Sequence, residues 1–188
     1  KTGKGQQVDT TMAGSVLAFL NAPATDALAT GKIPGPYTRP MQSQTYAFSG
    51  SDGLPFAFHL SSPQKFWEGL CKTAGHPEMI DEPRFSTRPN RRKNYDELNK
   101  VFAEFFKEKP RSYWLEQLEA NDVPHTPVYN MLELFEDPQI KHMGLEIKID
   151  RKDKPDIRTV KFPNEYSATK SPHPAPPPEL GEHNAEFL

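Results

Sequence analysis

Hydrophobic residues recur with helical spacing in the middle of the chain. The first such segment begins after Ser62-Pro63 and ends at Gly75. Ser is a common N-cap, Pro suits the first helical position, and Gly is a frequent helix end. The segments Tyr95–Glu108 and Tyr113–Leu118 repeat the pattern. The spacing predicts three amphipathic helices, with apolar stripes formed by Phe66, Trp67, Leu70, Cys71, Ala74, Leu98, Val101, Phe102, Phe105, Phe106, Tyr113, Trp114, Leu115 and Leu118.

Two short aromatic-rich runs precede these helices and predict a β-hairpin. Thr45–Phe48 and Phe56–Leu60 flank Ser51-Asp52-Gly53, and Asp-Gly is a favoured turn pair because both residues tolerate positive φ. Side chains alternate between the two faces of a strand. In the second strand, large apolar residues therefore share one face and small or polar residues the other, namely Phe56, Phe58 and Leu60 against Ala57 and His59.

The N-terminal part has a weaker pattern. Gln6–Met12 alternates loosely and predicts a short strand, which leads into a helix interrupted at Pro23 and ended at Gly31. The following stretch, Ile33–Gln44, contains several prolines and almost no aliphatic residues, so we expect a loop.

The C-terminal part combines short elements with irregular chain. Val123–Val128 must be extended, because each proline moves the residue before it out of the helical region. A short helix near Met131–Glu136 precedes two predicted strands, Leu145–Ile149 and Arg158–Phe162. The proline-rich stretch Ser171–Pro178 is expected to form an extended strap that cannot join a sheet interior. The fold class is therefore α+β.

Charge and composition exclude two classes of partner. The 188 residues contain 23 Lys and Arg against 25 Asp and Glu, a net charge of −2, so we expect neither nucleic acid nor a membrane as partner. Only 35% of the residues are hydrophobic and 20 are prolines, which leaves a thin core. The first residues contain neither Met nor a signal sequence. We therefore expect this chain to be part of a longer protein.

The cysteine and the histidines indicate little catalytic chemistry. Cys71, the only cysteine, excludes an intramolecular disulfide and fits a reducing compartment, which predicts a cytoplasmic protein. It lies in an apolar run and is expected to be a small core residue rather than a nucleophile. The histidines lack the spacing of zinc ligands, so no metal site is predicted. His59 is the exception to follow, because it lies on the less apolar face of a strand.

One basic cluster has two interpretations. Arg88, Arg91, Arg92 and Lys93 fit a solvated helix start, and the alternative is a phosphate contact to a nucleotide-like cofactor. No Ser-His-Asp or Cys-His arrangement with a usable spacing is present. The residues alone thus predict an α+β protein without a visible catalytic set.

Short motifs follow one another along essentially the whole chain. Thr2–Asp9 reads TGKGQQVD, and the later motifs are Tyr46, Ser51-Asp52-Gly53, Phe66-Trp67, Leu70-Cys71, Asp81–Phe85, Arg92 with Asn94 and Leu98, Trp114-Leu115, Val123-Pro124, Pro127-Val128, Asp137–Gln139, Pro174–Pro176 and Leu180–His183. Each motif is weak alone. Their common order resembles that of the class III CoA-transferases, which include formyl-CoA and carnitine-type CoA-transferases and the α-methylacyl-CoA racemases.

The resemblance implies a fold and a division of the chain. Family members have a large Rossmann-like α/β domain that binds CoA and a small α+β domain, and two subunits interlock as a homodimer. The chain would then be the C-terminal half, a small α+β domain with the C-terminal remnant of the large one. The expected parts are a strand and helix of the large domain in residues 1–33, a linker or lid loop in 34–44, the small domain in 45–142, and a returning segment with the strap in 143–188.

The resemblance also implies a reaction. Class III enzymes move CoA between an acyl-CoA donor and a carboxylic acid acceptor through an aspartyl intermediate. In the order of the family's motifs, the nucleophilic Asp comes before the position of Lys1. Asp9 is therefore not the nucleophile, and this chain alone is expected to be inactive. The CoA thioester is a substrate, and no tightly bound cofactor is expected.

Four polar residues of the lid region are the predicted substrate-binding residues: Tyr37, Arg39, Gln42 and Gln44. Arg39 is suited to bind a carboxylate through two parallel hydrogen bonds. A solvated linker between domains is the alternative interpretation of the same residues.

Two other functions stay open. One is an α-methylacyl-CoA racemase-like enzyme, although Ser62 stands where the racemases have a catalytic Glu, and a hydroxyl cannot exchange a proton as a carboxylate does. The other is a non-catalytic subunit that binds CoA or assists assembly with a partner chain. The residue at the family's nucleophile position would separate an enzyme from such a subunit.

Overall fold

The computed structural model describes residues 3–61, 63–151, 154–169 and 174–187. The chain forms two compact units, Lys1–Val128 and Tyr129–Leu188. The elements of the first unit are the helices α1 (Met12–Phe19), α2 (Asn21–Thr30), α3 (Thr38–Ser43), α4 (Gln64–Thr73), α5 (Arg88–Lys93), α6 (Tyr95–Phe106) and α7 (Arg111–Ala120), a 3₁₀ turn (Pro77–Ile80), and the strands β1 (Thr45–Ser49), β2 (Pro55–His59) and β3 (His125–Pro127).

The three strands form one antiparallel sheet in the order β1-β2-β3. Tyr46 of β1 pairs with Phe58 of β2, and Phe58 pairs in turn with His125 of β3. The predicted hairpin is therefore confirmed, and the extended proline segment becomes a third, edge strand. Prolines are tolerated there because an edge strand needs hydrogen bonds on one side only.

An aromatic core fills the space between this sheet and the central helices. Phe56 and Phe58 of β2 are fully buried, and their rings lie 5.4 Å from the ring of Phe106 in α6. Trp114 of α7 meets Phe106 edge-on at 4.9 Å. The predicted apolar stripes are largely confirmed, although Tyr113 is exposed; the stripe residues that are buried are Trp67, Leu70, Cys71, Leu98, Phe102, Phe106, Trp114 and Leu118.

The hairpin loop ties the sheet to the start of α7. Gly53 adopts a positive φ of 74°, as the Asp-Gly turn predicts. One carboxylate oxygen of Asp52 accepts a hydrogen bond from Leu54 N, and the other accepts from Arg111 N at 3.1 Å. At Gly50 a Cβ atom would lie 2.5 Å from Arg111 N, so only glycine allows this close approach.

The first two helices bury none of their residues. Thr11 caps α1, Gly31 ends α2 in a left-handed conformation, and the break between the helices falls at Leu20 rather than at Pro23. Gln6–Met12 does not form the predicted strand, because no other described segment pairs with it. The loop expected at Ile33–Gln44 is also wrong in part, since Thr38–Ser43 forms the helix α3. Several large apolar side chains of this region are exposed: Val8, Met12, Val16, Leu17, Phe19, Leu20 and Leu28.

The second unit contains the helices α8 (Met131–Glu136), α9 (Pro138–Met143) and α10 (Asn184–Phe187) and the strands β4 (Glu146–Ile149) and β5 (Ile157–Val160). Asn130 and Glu133 form a capping box at α8, and Asp137 caps α9. The two predicted strands are present, and β4 and β5 pair antiparallel. The start of the predicted strap, at residues 171–173, lies outside the described residues, and Pro174–Glu179 has no regular structure.

Across the part of the chain that the structure describes, none of the helices has the length and apolar character that crossing a bilayer requires.

The contact between α4 and α7 gives a test of the packing. A Cβ atom at Gly69 would lie 2.5 Å from Asn121 O and 3.0 Å from a methyl carbon of Val123. Alanine in a helix interior normally stabilises by about 1 kcal/mol over glycine. Here Gly69→Ala should instead lower the free energy of unfolding by about 1–3 kcal/mol, because the core is overpacked. Urea denaturation measures it, with the exposed Lys72→Ala of the same helix as control; a stabilised Gly69→Ala variant would contradict the packing.

Candidate anion-binding site

A cavity of about 370 Å³ lies where the end of α3, the end of β2 and the helix α5 meet. Helix α3 contributes three of its lining side chains, and the chain leaving β2 contributes two. Helix α5 contributes two arginines at positions i and i+4, which share one side of a helix. The lining residues are Arg39, Gln42, Ser43, His59, Ser61, Arg88 and Arg92.

The cavity carries unneutralised positive charge. Arg39, Arg88 and Arg92 line it, and among the described residues none of them has a carboxylate within ion-pair distance. Arg39 and Arg92 are exposed, and no protein acceptor in the described chain binds their guanidinium groups. The cavity is therefore suited to an anion.

Arg88 is held in place but not satisfied. Its Nη2 donates a hydrogen bond to Gln42 O at 2.9 Å, which joins α5 to α3. Its Nε is buried and finds no acceptor within the described ranges. A buried donor without an acceptor is costly, so Arg88 is only partly satisfied by its described partners.

Arg91 corrects the expectation of a solvated basic cluster. Its side chain is only 2% exposed, since it points into the core while Arg92 and Lys93 face solvent. The guanidinium lies 4.8 Å from the centre of the Trp67 ring, and its Nη1 donates to Phe85 O at 2.8 Å and Ser86 O at 3.2 Å. Burial lowers the pKa of Arg91, yet an arginine in a protein remains charged.

Gln44 completes the environment of Arg91. Its side chain is fully buried; Oε1 accepts from Arg91 Nε at 3.1 Å, and Nε2 donates to Arg88 O at 3.3 Å. The residue has a left-handed backbone with φ of 54°, and its carbonyl accepts from Leu60 N at 3.1 Å. Gln44 therefore fixes α3, β2 and α5 around the cavity without lining it.

A short hydrogen bond joins the two lining residues that follow β2. Ser61 Oγ lies 2.7 Å from His59 Nδ1, and Ser61 has a positive φ of 49°. The backbone N of His59 donates to Pro124 O at 2.9 Å, which holds this segment to the chain before β3. Ser62, the residue compared with the racemase Glu, lies outside the described residues.

The four predicted substrate-binding residues occupy different places. Arg39 and Gln42 line the cavity, and Gln44 lies behind it. Tyr37 precedes α3, is 56% exposed, and is not a lining residue. The prediction did not include Arg88, Arg92, His59, Ser43 or Ser61, although the basic cluster and the less apolar strand face pointed to the first three.

Two other candidate chemistries find no support in the described chain. Cys71 is buried, and that burial raises the pKa of its thiol to about 12, so it behaves as the core residue that was predicted. Within the described ranges, no three His, Cys, Asp or Glu side chains come together as metal ligands.

Comparisons with known proteins give matches over nearly the whole chain. The family described as CoA-transferase family III matches residues 1–184. Human succinyl-CoA:glutarate CoA-transferase is 32% identical over 193 aligned positions, covering 100% of this chain and 43% of the human protein. Acetyl-CoA:oxalate CoA-transferase from Acetobacter aceti is 29% identical, covering 98% of this chain and 46% of that protein.

A solved structure agrees with these matches. The crystal structure of a CAIB/BAIF family protein from Brucella suis superposes with a TM-score of 0.80 at 28% identity, covering 99% of this chain and 48% of that one. The chain therefore spans less than half the length of these relatives.

Substitutions of two nearby glutamines test which side chain stabilises the structure around the cavity. Gln44→Met should lower the free energy of unfolding by about 1–3 kcal/mol, because it leaves the buried Arg91 Nε without its acceptor. Gln42→Met should change it by less than about 0.5 kcal/mol, since that side chain is exposed. Thermal or urea unfolding measures both variants, and equal effects would contradict the separate roles.

Proposed function

Since the chain belongs to CoA-transferase family III, we propose that the protein containing it moves CoA between an acyl-CoA donor and a carboxylic acid acceptor. The observation that carries this proposal is the family match over residues 1–184. The named reactions of the two curated relatives, both CoA transfers between acids, support it. The basic cavity supports it as well, because carboxylic acids are anions at neutral pH.

The nucleophile of the proposed reaction lies upstream of this chain. An Asp carboxylate attacks the thioester carbonyl, the C–S bond breaks, and a mixed anhydride and a CoA thiolate result. The thiolate then attacks the aspartyl carbonyl, which releases the first acid and leaves CoA on the enzyme. The acceptor carboxylate then attacks the aspartyl thioester and displaces the CoA thiolate, which gives a second mixed anhydride. The thiolate attacks the acyl carbonyl of that anhydride, which forms the new acyl-CoA and frees the Asp. The protein uses CoA thioesters as substrates in this scheme, with no tightly bound cofactor.

This chain's part in that reaction is to bind and orient the acid. Arg39 and Gln42 would hold a carboxylate at the mouth of the cavity, where a guanidinium gives two directed hydrogen bonds. Tyr37 and Gln44 belong to the same segment; Gln44 acts by keeping α3 against α5.

We propose further that residues 1–33 pack against a large domain formed by other parts of the protein, in an interlocked homodimer. The apolar residues of α1 and α2 support this, since neither helix buries a residue within the described chain. Exposed contiguous apolar surface commonly marks an interaction site. Residues 34–44 would then link the domains, 45–142 form the small domain, and 143–188 return towards the large one.

The proposed reaction predicts a difference between two forms of the protein. The full-length protein should form a new acyl-CoA from succinyl-CoA and a panel of carboxylic acids, measured by mass spectrometry. The chain 1–188 alone should stay at background, because it lacks the nucleophile. Turnover by the chain alone would contradict the upstream position. If the full-length protein binds CoA but transfers none, a non-catalytic subunit is favoured. If solvent deuterium exchanges rapidly into the α-carbon of a 2-methylacyl-CoA, a racemase is favoured, with His59 as the first candidate base.

The proposed packing of α1 and α2 predicts their hydrogen exchange. Amides of Met12–Phe19 should exchange rapidly in the chain 1–188 and be protected in the full-length protein, because burying each large apolar side chain contributes about 1.5–3 kcal/mol. The amides of β2 serve as the control and should be protected in both forms. Strong protection of α1 in monomeric 1–188 would contradict the proposal.

A further inference from the structure

Two serines line the cavity, and their hydroxyl groups have different partners. Ser43 Oγ donates to Arg39 O at 2.9 Å and lies 2.8 Å from Thr45 Oγ1, so this hydroxyl is bound to the chain around it. Ser61 Oγ instead lies 2.7 Å from His59 Nδ1. An imidazole within hydrogen-bond distance can take the proton of a hydroxyl and turn that hydroxyl into a nucleophile.

The backbone at Ser61 is strained in a way that is common for catalytic serines. Its φ of 49° lies in the left-handed region, which residues other than glycine rarely adopt and which is concentrated at functional sites. Ser61 follows β2 and precedes α4. The nucleophile elbow of many hydrolases holds its serine on such a strained turn from a strand into a helix, where the hydroxyl is exposed. The two glycines of that elbow are replaced here by His59 and Pro63.

The arginines of the cavity supply positive charge for the same chemistry. Attack on a carbonyl carbon places negative charge on the carbonyl oxygen, and hydrogen-bond donors fixed nearby stabilise that charge. Arg39, Arg88 and Arg92 line the cavity together with Ser61. The hydrogen bond from Arg88 Nη2 to Gln42 O fixes one of these guanidinium groups. Arg39 and Arg92 are exposed, so water can reach the cavity.

We propose that Ser61, activated by His59, is a nucleophile for acyl-CoA thioesters, so that the protein also hydrolyses these thioesters without the upstream Asp. This inference takes its substrate from the proposed function and adds a second activity to it. Among the described residues, no carboxylate lies within ion-pair distance of His59. The pair is therefore a dyad, and without a carboxylate to orient the imidazole we expect slow turnover.

The hydrolysis has two steps. Ser61 Oγ attacks the thioester carbonyl carbon while its proton moves to His59 Nδ1; the C–S bond breaks, and CoA leaves with that proton as the free thiol. An acyl ester on Ser61 remains. A water molecule then gives a proton to His59 Nδ1 and attacks the ester carbonyl. The bond to Ser61 Oγ breaks, the serine recovers its proton, and the carboxylic acid departs.

The hydrolysis of acetyl-CoA by the full-length protein, with no acceptor acid present, tests the proposal. Free thiol and acetate should be released in equal amounts and faster than in the uncatalysed reaction. Ser61→Ala and His59→Gln should each lower the rate at least about 10-fold, because each variant removes the nucleophile or its general base. Ser49→Ala, which changes an exposed serine of β1 outside the lining, should leave the rate unchanged.

Covalent labelling of the unaltered full-length protein locates the nucleophile without a variant that could fail to fold. A fluorophosphonate reacts with a serine hydroxyl that a base activates. Fragment ions in mass spectrometry should place the adduct on Ser61. An adduct on Ser43, or the lack of any serine adduct, would overturn the proposal, and so would a hydrolysis rate that Ser61→Ala leaves unchanged.

CoA transfer to an acceptor acid, measured on the same proteins, separates this activity from the proposed function. If hydrolysis depends on Ser61 and no transfer is found, the proposed function is wrong and the dyad stands. If Ser61→Ala loses hydrolysis and keeps transfer, both activities stand. Transfer without hydrolysis above the uncatalysed rate overturns the dyad alone. If Ser61→Ala loses both activities, Ser61 serves the transfer, and the separate hydrolytic activity is overturned.

Discussion

The buried guanidinium of Arg91 is the interaction on which the arrangement of the cavity depends. A charged group removed from water requires acceptors on all sides, and removing one partner of such a group is strongly destabilising. Here those acceptors are Gln44 Oε1 and the carbonyls of Phe85 and Ser86, with Trp67 against its face. The segments that supply them are far apart in sequence, so satisfying one cation places α3, α4 and α5 together.

The sequence was most informative where periodicity reports burial. The hairpin and the stripes of α4, α6 and α7 follow from alternation and helical spacing, because a side chain's face is determined by local geometry. The third strand could not be predicted in the same way, since three residues with a proline carry no period of their own. Its pairing with β2 depends on contacts across the sheet. The strand expected at Gln6–Met12 does not form, because a strand also depends on pairing with a neighbour and no described segment pairs with this one.

The cavity could be predicted only in part. The family resemblance points to Arg39 and Gln42, whereas the sequence marks Arg88 and Arg92 only as basic residues near a helix start. Helical spacing puts Arg88 and Arg92 on one side of α5, but whether that side faces solvent or α3 is decided by Gln44 and Arg91. The residue type alone also gives a wrong expectation for Arg91: an arginine is almost never fully buried unless it is paired, yet this one is buried. Here neutral oxygens and an aromatic ring take the place of a carboxylate.

The separation between a buried frame and an exposed lining determines which side chains around the cavity can change without disturbing the fold. Gln44 and Arg91 are each linked to several segments, so their replacement disturbs the fold. Arg39 and Arg92 make no described contact that the fold requires. Substitutions at these two positions can therefore accumulate at little cost in stability, while the scaffold around the cavity stays intact.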